Sequence, residues 1–564
     1  MTQITSTGRT PLERGEVSAP EQFIFPVLTA PQIARIAAHG VRRQIRTGEV
    51  LIEAGSATVP FFVVTAGAIE VVRLSGAEEY IVAAYHPGQF TGEVNMMSGR
   101  RAMFQIRVTE PGEVIEVDRA QVQSLLQTDS ELSDILLRAF ILRRVELVAH
   151  AIGDVVLIGS LHSPATLRIK EFLTRNSHPY GYIDLDAEPD VQALLDRFHI
   201  SIADIPVLIC RGARVLKNPS NEEIADCLGF NDAIDRTHVR DLIVVGAGPA
   251  GLAAAVYGAS EGLDVLVVEA NAPGGQAGSS SKIENYLGFP TGITGQELAG
   301  RALAQAQKFG AEIAIAEGAT RLACDRTPYA IELGGEEPIR ARAIVIATGA
   351  EYRRLPLDNL SEFEGAGVYY GATFVEAQLC AGEEVIVVGG GNSAGQAAVF
   401  LARTAGRVHV LVRSDGLAET MSRYLVRRID ENPGIVLHAR TEIVALEGNG
   451  QLEHVRWREG RNGAVERRDI KHVFVMTGAS PNTRWLDGCL ALDTKGFIKT
   501  GPDLSAADLA AAKWPLRRTP HLLETSLPGV FAVGDVRCGN VKRVASAVGE
   551  GSIAVSFVHQ VLRE

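Results

Sequence analysis

The sequence predicts a multidomain chain: a β-rich barrel, a small α/β domain, and two three-layer α/β domains, one inserted into the other. Three observations predict it. At 564 residues the chain is too long for one core, and about 150 residues per domain suggests three or four. Residues 21–150 alternate short β-rich runs with glycine turns, the spacing of a small antiparallel barrel or jelly roll with flanking helices. Beyond residue 238, two glycine-rich turns each join an apolar strand to an Ala-rich helix.

Composition narrows the function. A net charge of −12 without a long basic run argues against nucleic acid and anionic membranes as partners. No stretch approaches the ~18 apolar residues of a membrane span, and the polar start, "MTQITSTGRTPLERGEVSAP", lacks a signal-peptide core. The expectation is a cytoplasmic protein acting on a small molecule. The six cysteines form no C-x-x-C, so neither zinc spacing nor a vicinal redox pair exists, and each reads as a small buried hydrophobe. No metal site is expected.

In chain order, the barrel comes first. "EVLIEAGSATVPFFVVTAGAIEVVRL" and "YIVAAYHPGQFTGEVNMMSGRRAMFQIRVTEPGEVIEVDR" precede a long helix, and the segment 21–150 resembles cyclic-nucleotide-binding domains. That resemblance implies that Gly92 and Glu93 meet a ribose hydroxyl and that Arg101 and Ala102 clamp a cyclic phosphate. The usual Ser or Thr is replaced by Met103 and Phe104, and the loop is about one residue short. Two readings stay open: a cyclic-nucleotide site, or a barrel used for dimerisation through the helix after it.

Residues 154–229 place a buried strand before an amphipathic helix, then "YGYIDLD", a helix, "IPVLIC" and a last helix. The order resembles a thioredoxin or glutaredoxin fold, with Pro206 as its cis-proline. Its active loop reads Ser160, Leu161, His162, Ser163, so the dithiol is missing. The loop is read as a polar cap on the helix, and the domain as a docking or spacer element.

In the next segment, "LIVVGAGPAGLAAAVYGASEGLDVLVVEA" carries Gly246, Gly248 and Gly251 at G-x-G-x-x-G spacing, and its second strand ends at Glu269. Glycines allow a tight turn and close approach to a pyrophosphate, and the acid suits ribose hydroxyls. A second Rossmann-like copy, "VIVVGGGNSAGQAAVFLARTAGRVHVLVRS", has Gly389, Gly391 and Ala394, and its strand ends at Arg413. An arginine there favours NADPH over NADH, which stays the alternative.

Residues 238–564 resemble thioredoxin reductases of low molecular weight and the related ferredoxin–NADP reductases. "PGGQ", "IENYLGFP", "AIVIATGA", "SPNT", "GVFAVGDV" and "VKRVASAVGEGS" carry the likeness. It implies an FAD domain in two parts, 238–351 and 483–564, interrupted by an NAD(P)H domain, 352–482, in a homodimer. FAD would meet Gly246, Gly248, Pro249, Ala250, Gly251, Glu269, Gly275, Gln276 and Asn285. It would also meet Ala347, Thr348, Gly349, Gly534, Asp535, Arg543, Val544 and Ala545. NAD(P)H would meet Gly389, Gly391, Asn392, Ser393, Ala394, Arg413 and Gly478.

Two departures decide the functional reading. Aligning the family's "GV" on Gly367 and Val368 puts its redox cysteines at Gly371 and Phe374, so no catalytic residue is assigned. The basic motif for the 2′-phosphate is reduced to Val412, Arg413, Ser414, with Arg423 as a substitute donor. The expected function is therefore hydride transfer from NAD(P)H to FAD and then directly to a small-molecule or redox-protein acceptor, with a cyclic nucleotide as regulator. The alternatives are a flavin-containing sensor or scaffold, and a thioredoxin-disulfide reductase using an external dithiol. Cys380 is a poor substitute thiol. The segment with Trp514, Arg517 and Arg518 reads as a loop cover, with an acceptor-docking lip as its alternative.

Overall fold

The computed structural model describes residues 21–564 except 76–77, 94, 161–162, 186–203, 212–213, 281, 326, 335–336, 373, 461–462 and 487. The chain divides into two compact units, residues 1–96 with 102–153, and residues 97–101 with 154–564.

The first unit is an antiparallel sheet around an apolar core. Strand Gln105–Val117 lies between Val41–Ile45 and Phe61–Ser75, Glu78–Tyr85 follows on the outer side, and Val50–Ile52 also pairs with Gln105–Val117. Its helix Ser130–Ala149 starts where the Asp129 carboxylate accepts the Leu132 N–H at 3.0 Å. Leu132, Leu136, Ala139, Phe140 and Leu147 recur at helical spacing and are buried. Phe140 meets Phe61 and Phe90 edge-on, with centroids 6.2 and 6.3 Å away.

The second unit begins with a four-stranded sheet in the order Gly181–Asp184, Val155–Gly159, Val207–Cys210, Arg214–Lys217. The first pair is parallel, the others antiparallel, and the Ile205–Pro206 peptide is cis. Helix Pro164–Arg175 buries Ile169, Phe172 and Leu173 against it. The described part is a small α/β domain with a helix packed on a mixed sheet.

The flavin-type domain is a seven-stranded sheet. Its parallel part runs Glu312–Ile315, Val265–Glu269, Val239–Val245, Ile339–Ile346, with Val530–Ala532 also parallel to the last. Strands covered on both faces can be apolar throughout, which is why "LIVV" and "AIVIA" show no alternation. Helices Pro249–Ser260 and Val544–Val561 pack on one face around Ala254, Ala255, Ala554 and Val555. The inserted domain has a five-stranded parallel sheet, Val368–Tyr369, His472–Val475, Glu384–Val388, Arg407–Val412, Ile435–Ala439. A three-stranded antiparallel sheet follows its last strand, and the short strands Ala350–Tyr352 and Ala479–Pro481 pair where the chain enters and leaves. Among the described residues no helix is long and apolar enough to cross a membrane, and no group of His, Cys, Asp or Glu is placed to hold a metal.

Candidate functional site: two dinucleotide cradles

Strand Val239–Val245 ends in Gly246, whose φ of +105° and whose hypothetical Cβ, 2.4 Å from the Ala347 carbonyl oxygen, leave no room for a side chain. The turn then opens. A Cβ on Gly248 would meet only the Gly275 Cα, at 3.9 Å, so the segments 248–250 and 274–275 face each other across a cradle. Helix Pro249–Ser260 starts there with Pro at its head and no side-chain cap, leaving N–H groups for an anion. Gly251 and Gly534 complete the close packing: a Cβ on Gly251 would come 1.8 Å from the Gly246 oxygen, and one on Gly534 would come 3.0 Å from the Ala250 Cβ.

Two carboxylates flank the cradle. Glu269 accepts the Ala247 and Asn271 N–H groups at 2.7 and 2.9 Å. Burial pushes its pKa up, opposed by those donors and by the charge of Arg175. Burial also pushes Asp535 up, and among the described residues no donor bonds it. A desolvated carboxylate without donors is stabilised by hydroxyls brought to it. Helix Val544–Val561 begins after Arg543 with no side-chain cap. These groups fit FAD: helix termini for the diphosphate and for a flavin carbonyl, and carboxylates for ribose and ribityl hydroxyls.

Other expected residues support the walls. Gln276 donates to the Ala350 oxygen, and the Thr348 hydroxyl donates to the Asn482 oxygen at 2.9 Å. Ala347 donates its N–H to Val245 at 2.8 Å, and Gly349 accepts from Asn482 at 3.1 Å. Asn285 lies exposed on its loop. Glu550 was not anticipated. It accepts the Gly534 N–H at 2.7 Å and pairs with Arg537 at 2.6 Å, fixing the turn that carries Asp535.

The second cradle repeats the first. Gly389 has φ +141°, and a Cβ there would sit 2.2 Å from the Met476 oxygen, whereas Gly391 and Gly478 face open space. Helix Asn392–Leu401 has no side-chain cap. Asn392 accepts the Ser422 N–H at 2.7 Å, Ser393 is exposed, and Ala394 is buried in the helix–sheet core. Arg413 opens onto a cavity of about 740 Å³ that Arg440 and Arg458 also line. Arg440 pairs with Asp415, and Arg458 pairs with Glu442 at 2.5 Å. Arg423 is the exposed first residue of helix Arg423–Asp430 and does not line this cavity. The basic lining thus comes from segments farther along the chain, which no spacing pattern marks.

Neither position matched to the redox pair carries a thiol. A Cβ on Gly371 would lie 3.9 Å from the Ser279 Cβ and Oγ, three residues beyond Gln276, and Phe374 opens a short helix. Cys380 is fully buried, and burial pushes its thiol up to about 11. The reading of all six cysteines as isolated hydrophobes needs correction: Cys324 and Cys489 form a disulfide across 165 residues, and Cys538 is only partly buried. Cys210 and Cys227 are buried and hydrogen-bonded to each other. The segments that carry each pair are separated in the chain and meet only in the fold, so spacing could not reveal them.

Among the cyclic-nucleotide candidates, Gly92 has φ +103° and a Cβ there would strike Met96 and Phe140. Glu93 is paired with Arg144 at 3.2 Å, Ala102 donates its N–H to Ser56 at 2.9 Å, and Arg101 is paired with Asp232. In the thioredoxin-like domain Ser163 is the N-cap of helix Pro164–Arg175, while Leu161 and His162 lie outside the described residues. Trp514 donates to the Arg518 oxygen at 2.8 Å, and Arg518 pairs with Glu524 and Glu564 at 2.6 and 2.8 Å. These contacts tie the segment to its own chain, and Arg517 stays exposed.

Residues 240–551 match the family model described as pyridine nucleotide-disulphide oxidoreductase. The chain belongs to that family. Residues 42–129 match the cyclic nucleotide-binding domain model. Over 326 residues this family member is 32% identical to a thioredoxin reductase of Bacillus subtilis, covering 58% of this chain and 96% of that protein. It is 33% identical over 331 residues to the NADPH-dependent thioredoxin reductase 3 of Arabidopsis thaliana, covering 57% of this chain and 58% of that protein. A solved thioredoxin reductase from Lactococcus lactis superposes with a TM-score of 0.51 at 27% identity, over 58% of this chain and 100% of the other. The chain is thus an FAD-dependent NAD(P)H oxidoreductase of the thioredoxin reductase-like class, with FAD and NADPH as its cofactors.

Proposed function

We propose that this oxidoreductase delivers electrons from NADPH directly to an external small-molecule or redox-protein acceptor, without an internal dithiol. The observation that supports this is the combination of two complete cradles with Gly371 and Phe374 at the place of the redox pair. When bound, FAD and NADPH supply hydride transfer between nicotinamide and isoalloxazine, and onward transfer to the acceptor. The chain's own work is positioning. The uncapped helix starting at Pro249 and the turn at Gly246 hold the diphosphate, Glu269 and Asp535 take hydroxyls, and Arg413 takes the 2′-phosphate. Gly371 leaves open the face beside Ser279 that a dithiol would otherwise fill.

In this reading the enzyme is a cytoplasmic homodimer, and the N-terminal domain responds to a cyclic nucleotide. Phosphate binding at Arg101 would compete with its ion pair to Asp232. Regulation requires that the nucleotide bind two states with different affinity. The test is to reduce the yellow protein with NADPH without oxygen, then mix it with a quinone, a ferredoxin or an oxidised thioredoxin, with and without cyclic AMP or cyclic GMP. Reoxidation by quinone or ferredoxin supports the proposal. Reoxidation by the thioredoxin alone would replace it with an external-dithiol mechanism.

A further inference from the structure

The thioredoxin-like domain is laid onto the loop that follows Glu269. Gln296 donates to the Thr174 oxygen at 2.8 Å, Asn176 donates to the Asn271 oxygen at 3.3 Å, and Asn221 donates to the Asn271 side chain at 3.2 Å. At the centre of this seam stands Arg175, the last residue of helix Pro164–Arg175. Its Nη2 donates to the Gly275 oxygen at 3.0 Å and reaches the Ala272 oxygen at 3.5 Å. Gly275 is one wall of the flavin-side cradle, because a Cβ there would lie 3.0 Å from the Gly248 Cα.

Arg175 has few hydrogen-bond acceptors where it stands. They are two neutral carbonyls and, at 3.3 Å, Glu171, a carboxylate whose side chain is about half exposed, while the buried Glu269 carboxylate of the cradle feels the charge of Arg175. The buried Nε of Arg175 has no acceptor among the described residues. A buried guanidinium N–H with no acceptor costs stability unless a ligand satisfies it. The cradle beside it is built for a diphosphate, the anion that a guanidinium pairs with best.

We propose that Arg175 is a cofactor-binding residue, a cation lent by the thioredoxin-like domain to the ADP half of FAD. This gives the domain a role that needs no cysteines: it retains the flavin. The inference rests on the FAD assignment of the cradle, and its test separates the two.

Flavin-stripped protein is titrated with FAD, and binding is read from the quenching of flavin fluorescence. Arg175→Gln removes the charge and keeps a donor for the Gly275 oxygen; it should weaken FAD about 10- to 100-fold, the range for a hydrogen bond to a charged group. Arg175→Lys should fall between, since it keeps the charge without the planar fork. Asn221→Ala, which breaks a seam contact away from the cradle, should leave affinity within about twofold. Added salt should weaken wild type more than Arg175→Gln. Unchanged affinity in Arg175→Gln overturns the inference, as does an equal loss in Asn221→Ala, which would make Arg175 merely part of the seam. A wild-type protein that binds no FAD overturns the parent assignment instead.

Discussion

Replacing Arg413 by alanine tests the nucleotide preference most sharply. Arg413 opens onto the cavity of about 740 Å³ and has no ion-pair partner among the described residues, whereas its neighbours Arg440 and Arg458 are held by Asp415 and Glu442. It is thus the cation least committed to the protein itself. A hydrogen bond to a charged group contributes about 1.5–3 kcal/mol, and solvent at this exposed position reduces that to about 1–2 kcal/mol. With tenfold per 1.4 kcal/mol, the apparent Kd for NADPH should rise about 5- to 30-fold. NADH lacks the 2′-phosphate and should change less than about twofold. The assay is the nucleotide concentration dependence of anaerobic flavin reduction, wild type beside Arg413→Ala. Equal losses for both nucleotides would show that Arg413 supports the fold of the cradle and reads no phosphate. No loss for either would move phosphate recognition to Arg440 and Arg458.

Three other outcomes follow from the structure. The double substitution Gly371→Cys with Phe374→Cys should confer NADPH-dependent reduction of a small disulfide that wild type lacks, since a side chain at Gly371 reaches Ser279; no gain would mean that this face is not in reach of the flavin. Non-reduced, denatured protein should titrate four thiols with Ellman's reagent and six after reduction, and serines at Cys324 and Cys489 should cost about 2–4 kcal/mol in denaturant unfolding. Burial lowers the pKa of His409 and His438, which adjoin each other at 3.0 Å beside Trp457, from the ordinary 6.5. The unfolded chain therefore takes up protons that the native domain refuses, and stability, full above pH about 6.5, should fall as pH drops below it. Urea midpoints between pH 7.5 and 5.5 check this, and His438→Gln should flatten the slope.

What was legible in the sequence follows from which constraints are local. Gly246 and Gly389 end apolar strands with φ of +105° and +141°, a backbone demand local to the turn that glycine meets, so spacing alone revealed both turns. Glu269 closes the second strand of its unit and Arg413 follows the second strand of the other, so both were readable from the strand–turn–helix–strand order. Contacts made by return of the chain left no such mark. The disulfide joins Cys324 to Cys489 across the whole inserted domain. Arg440 and Arg458 reach the Arg413 cavity from the strands that follow the nicotinamide sheet. Arg175 comes from a domain that the flavoprotein motifs do not include. Asn285 was placed by motif and lies exposed on its loop.

The central claim is that a chain without the dithiol still moves electrons from nicotinamide through flavin. Anaerobic mixing of the flavin-loaded protein with NADPH, followed at the oxidised flavin band, tests it most directly. Bleaching within seconds, slower with NADH, is the predicted result. Bleaching that takes longer than minutes with both nucleotides would contradict the account and leave the two cradles as parts of a sensor.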